Sequence, residues 1–129
     1  MSYSRTITVD LPYDQAVDKV KETFKANGFG TLSEIDVRAT LAEKLGEEME
    51  DYVILGVCNP VLAHRALGID RSIGLLLPCT VVVRAGEDGT VVQALDPQVM
   101  VDVPGDDRLR PIAEEAGEKI NAALDQLAS

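Results

Sequence analysis

The chain has 129 residues, 46% of them apolar, only 4% aromatic and none of them Trp. That length buries a core in one domain, residues 1–129, without metal or disulfide staples, so the core rests on Val, Leu, Ile and Ala. A net charge of −10, with 12 basic residues scattered rather than clustered, lacks the electrostatic footprint of nucleic-acid binding and of attraction to anionic membranes.

Tyr3 to Asp10 alternates apolar and polar side chains and predicts a first strand with one polar face. The segment from Met1 to Asp10 has no apolar signal-peptide core, and no apolar run reaches the ~18 residues of a membrane span. A cytoplasmic location with no membrane contact is expected, and there two cysteines are free thiols by default. Pro12 suits the first turn of a helix. Ala16, Val17, Val20 and Phe24 form one helical stripe from Tyr13 to Asn27, which Gly28 stops. Phe29 to Arg38 alternates weakly and reads as a second strand paired with the first. Thr40 to Leu45 reads as a short helix ended by Gly46. Glu47, Glu48, Glu50 and Asp51 make an acidic bend, which reads as a solvated turn because no calcium-loop spacing is present.

Tyr52 to Val57 is a nearly unbroken apolar run, as in a strand buried on both faces. Asn59 and Pro60 suit the N-cap and first position of a helix over Val61 to Leu67, closed by Gly68. A second apolar run, Gly74 to Ala85, is interrupted by Pro78, which belongs at a strand start, edge or bulge. Asp88-Gly89 predicts a hairpin between Val81–Arg84 and Val91–Leu95. Gln98 to Val103 fits either an extended segment or a helical turn. Asp106 or Asp107 caps a last helix whose stripe runs from Leu109 to Leu127. Helices with one mainly antiparallel sheet predict an α+β two-layer sandwich, the helices covering one face.

Rare residues gather between Tyr52 and Ala85. Cys58 ends a buried strand just before a helix N-terminus, where the helix dipole and free N–H groups favour a thiolate; the bland alternative is a small buried hydrophobe. Cys79 follows Pro78 and faces Cys58 if their strands are neighbours. No C-x-x-C pair occurs, and two sulfurs with the lone His64 fall one ligand short of a closed zinc site. His64 lies on the flank of its helix, either as a base or ligand reaching toward Cys58 or as a surface residue. No phosphate loop, nucleophile elbow or zinc-protease motif is present. The sequence leans away from an enzyme and names no cofactor.

Gly28-Phe29-Gly30, Ser33-Glu34-Ile35-Asp36-Val37, Leu55-Gly56-Val57-Cys58-Asn59-Pro60, Ala63, Ala66-Leu67, Gly74-Leu75-Leu76-Leu77-Pro78-Cys79, Val81-Val82-Val83 and Asp96-Pro97 together resemble the bacterial and archaeal family called domain of unknown function 302 (DUF302). The resemblance spans nearly the whole chain. It implies a compact two-layer α/β protein that forms homodimers, and it places both cysteines on family motif positions. It brings no reaction.

Three readings follow in order. The first is a binding module in which Cys58, Asn59 and Cys79, with His64 as an optional member, hold a small ligand such as a soft metal ion, a sulfur species or a small anion. The second is thiol redox or sulfur transfer, with Cys58 as nucleophile, Cys79 as resolving partner and His64 as base. The third is a structural or regulatory homodimer with inert cysteines.

Overall fold

A computed structural model describes residues 3–129. Five strands, β1 (Ser4–Val9), β2 (Gly30–Asp36), β3 (Tyr52–Cys58), β4 (Cys79–Gly86) and β5 (Gly89–Leu95), form one sheet in the order β1-β5-β4-β3-β2. Every neighbouring pair is antiparallel. The helices are α1 (Tyr13–Ala26), α2 (Val37–Leu45), α3 (Pro60–Ile69), a single turn α4 (Val99–Asp102) and α5 (Arg110–Ala128). Two 3-10 segments, Arg71–Leu76 and Asp107–Leu109, join them. The α+β two-layer sandwich expected from the sequence is the observed architecture.

The period-two alternation of the strands decides which side is covered. Val9, Val53, Leu55, Val57, Val81, Val83, Val92 and Ala94 are buried. They meet the stripes of α1 (Ala16, Val17, Val20, Phe24) and α5 (Ile112, Ala116, Ile120, Leu124). Each such large side chain removed from water contributes roughly 1.5–3 kcal/mol. Phe24 and Phe29 meet edge to face, ring centroids 6.5 Å apart, and close one end of this core. Gly28, at φ 92°, makes the turn between them, and the Phe29 N–H donates to the Phe24 carbonyl.

Several expectations are corrected. β2 does not pair with β1: it pairs with β3 at the opposite edge of the sheet, while β1 pairs with β5. β2 leaves five of its seven residues exposed, and an edge is where so polar a strand is tolerated. β3 is not buried on both faces: Val53, Leu55 and Val57 are buried, whereas Tyr52 and Ile54 are half-buried on the side without α1 and α5. Pro12 stands one position earlier than its expected place, as the N-cap of α1. Asp36 caps α2 through the Ala39 N–H, so this helix starts at Val37, inside the segment expected to be strand. Gly68 does not close α3, which runs on to Ile69 and ends at Asp70. Of the Gly74–Ala85 run, Gly74–Leu76 belongs to the 3-10 segment, and Pro78 stands at a strand start, with β4 beginning at Cys79. Gln98–Val103 resolves into the helical turn α4, and Asp106 caps the 3-10 turn that leads into α5.

Two local devices fix the β3–α3 corner. The Asn59 side chain accepts from the Leu62 N–H at 3.1 Å, capping α3 with Pro60 in its first turn. Gly56 leaves room for its neighbours: a Cβ there would lie 2.3 Å from Ser33 Oγ and 2.8 Å from Pro78 Cγ. Asn59→Ala is expected to destabilise the fold by about 1 kcal/mol, with Asn59→Asp retaining most of the cap, as read by urea unfolding. Gly56→Ala is expected to cost about 1–3 kcal/mol, because the Ser33 hydroxyl can rotate away but the Pro78 ring cannot; a wild-type unfolding midpoint would show that the corner is not tightly packed.

Candidate functional site

β3 brings its C-terminal end, Val57-Cys58, between two neighbours. Gly30 of β2 stands opposite Cys58. Cys79 of β4 stands opposite Val57, and Thr80 opposite Gly56. Cys58 and Cys79 therefore lie on adjacent strands one residue out of register, at the end of the β3–β4 ladder. The Leu77–Pro78 peptide is cis, and Pro78 packs over Gly56 directly before β4 begins.

Cys58, Asn59, Leu77, Pro78 and Cys79 line one small cavity, closed by Phe29, Val57, Leu62, Ala63, Met100 and Ala116. Its volume is ≈ 20 Å³. A single water needs about 10–15 Å³ by that measure, so the space fits one atom or one water, not an organic cofactor. Apart from the thiols and Asn59, the lining side chains are apolar. The Asn59 oxygen caps α3, and its amide nitrogen occupies space that a Cβ at Gly28 would need, 2.9 Å away.

Both thiols are free, and both are half-buried. Burial pushes the Cys79 pKa up to about 11, with repulsion from Cys58 as the smaller cause. Burial also raises the Cys58 pKa. The direction is opposite to the thiolate expected beside a helix N-terminus. The physical reason lies in the first turn of α3. Pro60 has no N–H, the Leu62 N–H is taken by Asn59 Oδ1, and the Ala63 N–H is taken by the Asn59 carbonyl. Few donors remain to stabilise an anion, and desolvation wins.

The three residues Cys58, Asn59 and Cys79 thus come together. His64 does not join them: it is exposed on α3 and absent from the cavity wall. Among the described residues, no three His, Cys, Asp or Glu side chains converge as a metal-binding group. The acidic bend behaves as a solvated turn, with Asp51 accepting from Arg38 Nη1 at 2.7 Å. The wall residues Phe29, Leu62, Met100 and Ala116 were not singled out from the sequence. The periodicity of α3 and α5 marks Leu62 and Ala116 as buried, but nothing in the sequence ties Met100, on the turn α4, to the cysteines.

The family model for domain of unknown function DUF302 matches residues 5–127. The crystal structure of an uncharacterized conserved DUF302 protein from Bacillus stearothermophilus is similar throughout, with a TM-score of 0.91 and 30% identity. That match covers 98% of this chain and 99% of the other. Among curated proteins, none matches the chain. The chain belongs to the DUF302 family. Among the described residues, no helix is long and apolar enough to cross a membrane.

Raised thiol pKa values mean little thiolate at neutral pH, and the thiolate is the form that is alkylated. Iodoacetamide at pH 8 is expected to modify Cys58 first and Cys79 at least about 100-fold more slowly than a free peptide thiol. The Cys79 rate should keep rising with pH toward its pKa of about 11. Peptide mapping by mass spectrometry reads both sites. Fast labelling of Cys79 at pH 7 would mean that the thiol is neither buried nor perturbed.

Proposed function

We propose that this DUF302 protein is a binding module in which Cys58 and Cys79, beside Asn59, hold a soft, thiophilic species about the size of one atom. The observation that carries the reading is that the two free cysteines share the wall of one ≈ 20 Å³ cavity. Sulfur ligands select soft ions such as Cu(I) over hard ones. A space this small favours a single ion over a haem or an organic anion. Two sulfurs suffice for a soft monovalent cation, whereas a closed zinc site asks for four ligands.

Cysteine ligates a metal as the thiolate, so Cys58 and Cys79 each give up a proton as Cu(I) enters. Binding then releases two protons, and apparent affinity rises about 100-fold per pH unit while both displaced protons are still bound in the free protein.

Thiol redox or sulfur transfer is the weaker reading. A nucleophilic cysteine needs a depressed pKa, burial raises both thiols here, and His64 stands outside the cavity wall.

Anaerobic titration of the reduced protein with Cu(I) against a competing chelator tests the binding reading. One ion per chain is expected, with affinity rising as pH is raised from 6 to 8 by roughly 10,000-fold in total. Cys58→Ala and Cys79→Ala should each weaken binding by at least about 100-fold, since each leaves only one thiolate ligand. His64→Ala should leave it unchanged. Failure to take up Cu(I), or wild-type affinity in either cysteine variant, would remove the copper reading.

A further inference from the structure

The cysteine cavity holds more sulfur than its two thiols. The chain has two cysteines and three methionines, and Met100 joins both cysteines on the wall. Met100 is only 6% exposed. It sits on α4, the single turn that follows β5. The Asp96-Pro97 pair builds that turn. Pro97 is buried and has no N–H with which to continue a sheet ladder. Asp96 Oδ1 accepts from the Gln98 N–H at 2.9 Å. The Asp96 carbonyl accepts from the Val99 N–H at 3.1 Å, and the Pro97 carbonyl accepts from the Met100 N–H at 2.9 Å. A hydrogen-bonded turn, rather than a loose loop, therefore delivers Met100 to the cavity. An unbranched side chain with three rotatable bonds can then turn its sulfur toward a space of one atom at little cost.

We infer that the Met100 thioether is a third ligand of the soft ion, completing a three-sulfur site with Cys58 and Cys79. The inference rests on the binding reading of this cavity. Donor chemistry singles Met100 out. Apart from the three sulfur residues and Asn59, the wall is apolar. The Asn59 oxygen already accepts from the Leu62 N–H, and a carbonyl oxygen suits hard cations rather than soft ones. Charge points the same way. Two thiolates around one monovalent cation leave the site net negative, and charge in apolar surroundings is costly. A third thiolate or a carboxylate would add to that cost. A thioether adds a bond and no charge. Thiolate and thioether donors select Cu(I), whereas zinc takes cysteine, histidine and carboxylate ligands. Met100 thus tilts the site toward the monovalent ion. A residue that only filled space could equally be leucine, because that swap conserves volume. Substitution by leucine therefore separates a ligand from a filler.

Selenomethionine labelling of the full chain tests this directly, because the selenium of a ligating residue acquires a copper neighbour. With one Cu(I) loaded per chain, X-ray absorption at the selenium edge should show copper at bonding distance in the wild-type sequence. Met100→Leu should remove that signal. In the unlabelled protein, Met100→Leu should weaken Cu(I) binding at least about tenfold. Its unfolding midpoint, and the iodoacetamide rates of Cys58 and Cys79 in the metal-free protein, should stay near wild type. If Met100→Leu does not fold, the selenium measurement on the wild-type sequence decides. Cu(I) bound with no copper neighbour at selenium, or bound as tightly by Met100→Leu as by wild type, overturns the inference and leaves the two-cysteine reading standing. A chain that takes up no Cu(I) overturns both.

Discussion

Val57 stands opposite Cys79 in the β3–β4 ladder, and the cysteine cavity depends on that register. Side chains in a ladder repeat every two residues, so a slip of one would exchange the faces of a whole strand. Here a slip would turn Val81 and Val83 away from the core and carry Cys79 with them. The burial of those two valines, together with Val53, Leu55 and Val57, holds the register in place. Packing in the core therefore fixes the relative position of two thiols at its edge. Gly56 and Pro78 add a second lock, since the proline ring occupies space that any side chain at Gly56 would need.

The same packing sets the chemistry. The cavity is small and mostly apolar, so it raises both thiol pKa values rather than generating thiolates. The α3 N-terminus would oppose this, but Asn59 takes the Leu62 and Ala63 N–H groups. A cap that stabilises the helix thus competes with anion stabilisation at the preceding cysteine. What results is a neutral two-sulfur pocket, suited to capturing a soft partner that displaces both protons and poorly suited to nucleophilic attack.

The fold class was legible because the periods are clean. The stripes of α1 and α5 and the β4–β5 hairpin each specify one local structure, although the hairpin's two-residue turn is Glu87-Asp88, one position before the expected Asp88-Gly89, and the helix start at Asn59-Pro60 follows from capping chemistry. Strand order was not legible in the same way. β2 follows β1 in sequence, but pairing is decided by which surfaces the long helices cover, and a polar strand such as β2 can go to either edge. The Gly74–Leu77 segment has no assignment from the sequence, because a short apolar run carries no period that separates strand from 3-10 turn. Of the site, Cys58, Asn59 and Cys79 could be named from the rarity of cysteine and the cap before Pro60. His64 illustrates the limit: its place in the sequence, near Cys58, says nothing about which side of α3 it occupies. Met100 reaches the cavity wall through tertiary packing alone.

Whether the two thiols act as one site is most directly tested with a trivalent arsenical, which bridges two sulfurs only when both can reach one arsenic atom. Native protein treated with arsenite after the reductant has been removed should form one adduct per chain, with Cys58 and Cys79 both protected from later alkylation. An arsenical that fails to bind, or that leaves either cysteine open to alkylation, would contradict a shared two-sulfur pocket.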